Sequence, residues 1–353
     1  MYSTHPQQRH HRSNPILCLA PNAAYQTTLL FDRISLGQVN RATKQTNSLG
    51  GKGQNFAIAS LGYAGVTTRV TLLQILGGST GTQIEALERQ QSIDYITVHT
   101  SQQTRTCTTC LDTSTGSMTE LVGVSEAIDP AASAEFENTA LEILQSSHPP
   151  QALALCGTFP PGLCPDAVAR IVRATKSSKG TLVFVDAVKD IQPTLATGCV
   201  DILKINSSEV ITLAAAHCAE PVNVGLVQAA ADLARRFSIG VVAVTDGPST
   251  AYLVDTKSST SYELCVPDLL KDLDYYLGKP ADNCGQLILN PLGAGDTCSA
   301  VMLNSLLDDT TAVDAFALGL AAASASCLVL MPNCVFDHSV MQRILDKIAI
   351  TKL

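Results

Sequence analysis

Six short and almost wholly apolar runs recur along the 353 residues: Pro15–Ala20, Val70–Leu73, Ala152–Leu155, Thr181–Asp186, Ile202–Ile205 and Gly240–Thr245. Stretches of helical periodicity separate most of them. Runs this short and this apolar predict strands covered on both faces. Strands alternating with helices predict a parallel sheet, because parallel neighbours need a crossover of a dozen or more residues. In such sheets ligands sit outside the carboxyl ends of the strands. Those ends carry Cys156-Gly157-Thr158, Asp186, Asn206-Ser207-Ser208-Glu209 and Thr245-Asp246-Gly247, so several polar or glycine-bearing groups face one crevice.

A second pattern interrupts the first. Strand-like pieces at Thr27–Phe31 and Val39–Thr46 flank a turn at Leu36-Gly37, and Tyr95–His99 reads as a strand. Thr104–Leu111 and Met118–Val122 read as a hairpin around Asp112–Gly116. Their Thr-rich alternation predicts a sheet with one open face, separate from the main core. Helices are expected at Asn55–Leu61, Thr82–Gln90, Asp129–Gln145, Pro165–Thr175, Val224–Phe237, Thr297–Leu307, Thr311–Leu328 and His338–Ile348, with a hairpin from Thr250–Val254 and Tyr262–Val266. Residues 267–285 read as an exposed insertion. Residues 1–14, with three His, two Arg and no acidic side chain, read as a flexible tail before a single domain over 15–353.

The net charge of −8 argues against nucleic acid or an anionic membrane surface as partner, and no apolar run reaches the ~18–20 residues of a membrane span. A cytoplasmic location is the expectation, with an organelle as the alternative. The twelve cysteines are scattered through apolar surroundings and read as reduced, buried, small hydrophobes. Cys107-Thr108-Thr109-Cys110 lacks a second pair at zinc spacing and reads as packing rather than a metal or redox site.

Two glycine loops carry the chemistry. In Asn290-Pro291-Leu292-Gly293-Ala294-Gly295-Asp296-Thr297-Cys298, the glycines permit a tight turn before a helix whose first N–H groups are free to bind an anion. A carboxylate there would repel a phosphate unless a hydroxyl lies between them, which suits Asp296 to a general base. The bland alternative is an acidic first-turn residue after a glycine turn. The other loop, Ser48-Leu49-Gly50-Gly51-Lys52-Gly53-Gln54-Asn55, is not a Walker A sequence. It sets Lys52 and Asn55 at a helix start, where they could hold sugar hydroxyls or a phosphate, or Lys52 could simply be a solvated loop cation.

With both loops in order, and Asn206-Ser207-Ser208-Glu209 between them, the chain from about Ile16 to Leu330 resembles the ribokinase-like (PfkB) carbohydrate kinases. The resemblance implies a three-layer αβα domain with a mainly parallel sheet and a small β lid, here drawn from about 26–46 and 95–122. It implies ATP-dependent phosphorylation of a sugar hydroxyl, with Asp296 as base and the N–H groups of Gly293, Ala294 and Gly295 as anion hole. Asn206 and Glu209 would act on the Mg2+ side, through water, and Lys204, Thr245 and Gly247 would lie along the nucleotide. A monovalent cation is an open question.

Thr104-Arg105-Thr106, Gly37–Ala42 and Thr119-Glu120-Leu121 are similar to the branch that phosphorylates hexose phosphates, such as 1-phosphofructokinase and tagatose-6-phosphate kinase. Arg41, Lys52 and Arg105 would then clamp the substrate's existing phosphate, with Asn22, Gly51 and Asn55 holding the sugar. One departure stands out. Where the family has an Asp after the first strand, the segment Asn22-Ala23-Ala24-Tyr25-Gln26 is read with Gln26 in its place, leaving an amide where two hydroxyls would meet a carboxylate. The alternatives are a kinase of an unphosphorylated sugar or nucleoside, or a non-catalytic member acting by protein interaction. A homodimer through the open lid face is also expected.

Overall fold

The computed structural model describes residues 15–64, 69–177, 180–217, 225–248, 250–277, 291–329 and 334–353. The expected tail, the strand leading into the second glycine loop, and 278–285 of the insertion lie outside them.

The chain opens with β1 (Ile16–Ala20), β2 (Ala24–Phe31) and β3 (Lys44–Gly50), followed by α1 (Lys52–Ala64), β4 (Val70–Gly77), α2 (Gly78–Gln90) and β5 (Asp94–Thr100). The hairpin β6 (Thr106–Asp112) and β7 (Ser117–Val122) precedes α3 (Pro130–Leu144). Then come β8 (Ala152–Cys156), α4 (Pro165–Ala174), β9 (Leu182–Asp186), α5 (Gln192–Leu195), β10 (Ile202–Asn206), α6 (Ser207–His217), α7 (Leu226–Phe237) and β11 (Val241–Asp246). The hairpin β12 (Thr250–Asp255) and β13 (Thr260–Cys265), then α8 (Leu273–Leu277), α9 (Ala294–Leu307), α10 (Ala312–Cys327), α11 (His338–Leu345) and β14 (Ala349–Lys352) complete it.

The main sheet runs β14-β13-β12-β11-β10-β9-β8-β1-β4-β5. From β11 to β5 every neighbouring pair is parallel, while β12, β13 and β14 add antiparallel strands at one edge. Side chains alternate across the sheet, and each face has its own core. Leu17 and Leu19 of β1 join Phe136 of α3 and Val168 of α4 on one side. Ile16, Cys18 and Ala20 join Phe56 of α1, Met302 of α9 and Phe316 of α10 on the other. Both faces are therefore dry, which is why the strands read as unbroken apolar runs.

Strand order reverses between β1 and β8. After β1 the chain builds β4 and β5 outward on one side, then crosses to β8 and builds the opposite side. That reversal opens a crevice at the carboxyl ends of β1 and β8. A second sheet, β3-β2-β6-β7, packs on α2 beside it.

Several elements differ from expectation. The strand read at 95–99 is β5, the edge of the main sheet, and not part of the lid. The lid strand read at 39–46 starts later, at Lys44, and runs to Gly50. The helix after the first glycine loop already begins at Lys52 and continues past Gly62 to Ala64. Residues 267–277 are largely exposed, as expected, but they are anchored: a 3-10 turn at Leu269–Asp272 and α8 bury Leu269 and Tyr276 against α11, where Arg343 Nε donates to the Tyr276 carbonyl at 2.9 Å. The last helix stops at Leu345, and β14 follows.

Candidate active site

The carboxyl ends at the reversal open into a cavity of about 420 Å³. It is bordered by both glycine loops, by strand ends of the main sheet, and by lid side chains including Gln26, Cys107 and Glu120. A concave site of this size, with a few convergent polar groups, suits a small molecule.

Asp296 sits in the first turn of α9, only 8% exposed, and its Oδ2 accepts from Asn55 Nδ2 at 2.8 Å. The two glycine loops, 241 residues apart, thus meet at one carboxylate. Burial, then the negative charge of Asp186, pushes the Asp296 carboxyl up to about 6, against the pull of Lys52, Asn55 and Lys204. An acid so raised remains ionised near neutrality while being a stronger proton acceptor than a solvated carboxylate.

The turn ahead of Asp296 needs its glycine. Gly293 has φ +78°, and a Cβ there would lie 2.3 Å from Cys334 Sγ. Gly293 and Gly295 border the cavity, whereas Ala294 does not, and its N–H donates to the Pro291 carbonyl at 3.1 Å. Two of the three expected anion-hole residues therefore face the cavity.

Beneath Asp296 lies a charge cluster with Asp186 at its centre. This carboxylate, at the end of β9 and 2% exposed, accepts from Lys52 Nζ at 2.6 Å and from Ser299 Oγ at 2.6 Å, with Lys204 Nζ at 3.4 Å. Burial works to raise the Asp186 carboxyl, but Lys204 and Lys52 outweigh it and hold it down at about 2. Lys204 also donates to the Gly295 carbonyl at 3.0 Å, which ties β10 to the anion loop. Asp186 itself does not border the cavity, and the sequence marks it only as one polar strand end among several; its place at the centre of this cluster shows only in three dimensions.

The remaining expected residues fall into three groups. Asn22, Gln26, Gly51 and Arg105 border the cavity at the lid side. Asn22 Nδ2 donates to Thr158 Oγ1 at 2.9 Å across the β1/β8 gap, and its carbonyl accepts from Arg105 at 3.1 Å. Arg105 Nε is buried without a hydrogen-bond partner. Gln26 Nε2 donates to Thr109 Oγ1 at 2.8 Å within the lid. Asn206, Glu209 and Thr245 border the opposite end. Here the Asn206 side chain accepts from the Glu209 N–H at 2.9 Å and Glu209 Oε2 accepts from the Asn206 N–H at 2.8 Å, a reciprocal cap on α6.

Arg41 and Gly247 do not border the cavity. Arg41 is exposed on the loop between β2 and β3, and Lys52 is engaged by Asp186. Of the three cations expected to clamp a phosphate, only Arg105 is left facing the cavity without a carboxylate partner among the described residues. Cys107 and Cys110, three apart on one strand, face opposite sides of the lid sheet, and both are free thiols.

Residues 20–272 match the family model described as pfkB family carbohydrate kinase. The chain is 23% identical over 295 residues to ATP-dependent 6-phosphofructokinase isozyme 2 of Escherichia coli, covering 82% of this chain and 84% of that one. It is 27% identical over 172 residues to a tagatose-6-phosphate kinase of Staphylococcus epidermidis, covering 49% of this chain and 53% of that one. The solved structure of phosphofructokinase-2 from Escherichia coli in complex with potassium superposes with a TM-score of 0.75 at 22% identity, over 94% of this chain and 98% of that one.

Proposed function

The chain belongs to the pfkB family of carbohydrate kinases, and we propose that within it the protein transfers the γ-phosphate of ATP to a hydroxyl of a hexose phosphate, as the names of its relatives suggest. The observation that carries the reading is Asp296: a buried carboxylate, raised to about 6, at a helix N-terminus and on the wall of the cavity. Asp296 takes the proton of the attacking hydroxyl as the sugar oxygen bonds to the γ-phosphorus and the bond to the bridging oxygen of ADP breaks. The N–H groups of Gly293 and Gly295 receive the transferring phosphoryl at the positive end of the α9 dipole. Lys204 fixes the Gly295 carbonyl and adds positive charge behind it. Arg105, on the cavity wall with no carboxylate partner among the described residues, holds the sugar's own phosphate.

Among the described residues no group of three or more His, Cys, Asp or Glu side chains could hold a metal ion. That suits Mg2+, which is usually held by one or two carboxylates, water and substrate phosphates rather than by a protein cage. Glu209 and Asn206 would hold it through water, where it would offset charge on the phosphates. A potassium requirement is proposed from the likeness to the potassium-bound relative. A homodimer through the lid is supported by exposed Leu36, Val39, Leu121, Val122 and Val124.

A second reading, a kinase of an unphosphorylated sugar, is favoured by one observation: Arg41 is outside the cavity and Lys52 is engaged by Asp186. One screen separates the two. ADP release is measured with hexose phosphates, free sugars and nucleosides, each with and without potassium. Turnover confined to hexose phosphates supports the first reading, and equal turnover of free sugars supports the second. No ADP release with any acceptor refutes both.

A further inference from the structure

Glu88 of α2 is wholly buried, and nothing in the proposed chemistry uses it. Its Oε2 accepts from Gln74 Nε2 at 2.7 Å, and that nitrogen also lies 3.3 Å from Thr97 Oγ1. Gln74 Oε1 in turn accepts from Gln54 Nε2 at 2.7 Å. Gln54 and Gln74 are as dry as Glu88, so three polar side chains form a buried line from α2, through β4, to the glycine loop at the start of α1.

For the fold alone an acid at 88 is a costly choice. Burial pushes the Glu88 carboxyl up to about 8, against the pull of the Gln74 and Gln54 amides, and Oε1 of Glu88 has no partner at all. A buried acid with one empty oxygen is costly. What it does supply is direction. The hydrogen bonds set it: Gln74 turns its NH2 toward Glu88 and its oxygen toward Gln54, and the order is locked when Glu88 is ionised and can only accept. Gln54 must then turn its NH2 toward Gln74, and its own oxygen is left at the far end of the line.

That oxygen lies at the cavity. Gln54 Oε1 is 2.8 Å from the point a Cβ on Gly51 would occupy, in the room left by a glycine at φ +104°, and both residues border the cavity. No carboxylate occupies position 26 on the lid side, and the Gln26 NH2 is held by Thr109, so Gln54 Oε1 would add a second amide acceptor beside that of Gln26.

We propose that Gln54 binds the acceptor sugar, its Oε1 accepting one of the sugar hydroxyls, and that Gln74 and Glu88 are positioning residues that hold this oxygen toward the cavity. The proposal rests on the sugar-kinase reading and adds to it a specificity residue supported by a buried acid.

The test is a double-mutant cycle on the full chain, read as KM for the preferred acceptor and for ATP, at about pH 9, a unit above the raised Glu88 carboxyl. Gln54→Met, close in size and without the acceptor oxygen, is expected to raise the sugar KM roughly three- to tenfold and to leave the ATP KM unchanged. Glu88→Gln, which can donate as well as accept and so releases the direction of the line, is expected to raise the sugar KM by about half as large a factor. In the Gln54→Met background Glu88→Gln should change it no further. Thermal unfolding checks that each variant is folded. If Gln54→Met is not, Gln74→Met cuts the same line one link back and must give the same rise.

An unchanged sugar KM in Gln54→Met, or a Glu88→Gln effect that multiplies in the double variant, overturns the proposal while wild-type turnover leaves the kinase reading standing. A wild type inert toward every acceptor overturns the kinase reading and the role of Gln54 with it.

Discussion

Replacing Asp296, the proposed base, should make the protein more stable as it makes it inactive. Asp296 is 8% exposed, and its carboxyl is raised from 3.8 to about 6, chiefly by burial and then by Asp186. At ~1.4 kcal/mol for each tenfold change in acidity, keeping it ionised in the fold costs on the order of 2–3 kcal/mol. Asp296→Asn removes that charge at nearly constant volume, and the new amide oxygen can still accept from Asn55. The variant is therefore expected to lose ADP release by at least about a thousandfold while its Tm rises by several degrees at pH 8.

The pH dependence has a definite sign. A carboxyl raised in the folded state carries its full penalty above about pH 6 and none below the unfolded value of 3.8. The Tm advantage of the variant should thus shrink as pH falls from 8 toward 4. Asp186, held down at about 2, stays ionised in the fold across this range, so the change with pH is read chiefly from Asp296. Differential scanning calorimetry of both across that range, beside a coupled ADP assay, decides the matter. A variant that melts lower at pH 8, or that still turns over, refutes the reasoning.

Three other perturbations reach different parts of the site. Arg105→Ala should raise KM for a hexose phosphate about tenfold or more and leave a free sugar nearly unaffected, by steady-state kinetics on both; equal changes would remove Arg105 from the phosphate. Lys52→Met leaves Asp186 with Lys204 alone, and with Lys52 more than a third exposed the expected loss is about 1–3 kcal/mol in urea unfolding. An unchanged midpoint would show that the Lys52 pair contributes nothing to stability. Gly293→Ala forces a Cβ to within 2.3 Å of Cys334 Sγ at a positive φ, so a loss of about 2 kcal/mol or more is expected in the same measurement, and a neutral result would contradict the turn geometry.

The parallel sheet was legible because both its faces are buried, which leaves runs such as Ala152–Cys156 with no polar position. The edges were not. β5 is an edge strand in which only Val98 is fully buried, so its sequence Asp-Tyr-Ile-Thr-Val-His-Thr alternates like a lid strand, and the four exposed residues of β14 carry almost no pattern. Asn206 and Glu209 carry a second signal besides the metal-side one: their spacing is also that of a capping pair, which marks the start of α6. Lys52 could be placed on its helix from sequence but not matched to Asp186, 134 residues away, because a single carboxylate at a strand end looks like any other. For the same reason the line from Gln54 to Glu88 joins residues that no local pattern connects.

The lid strand β3 ends at Gly50 and α1 begins at Lys52, so one residue, Gly51, separates the sheet over the sugar from the helix that carries Asn55. No loop lies between them to take up slack. A tilt of the lid would be handed on to Asn55 and so to the Asp296 carboxylate it holds, as a crank hands motion to the part bolted to it. On the proposed function, a sugar that seats the lid would thereby also set the base, and water, which cannot seat the lid, would be a poor substitute acceptor.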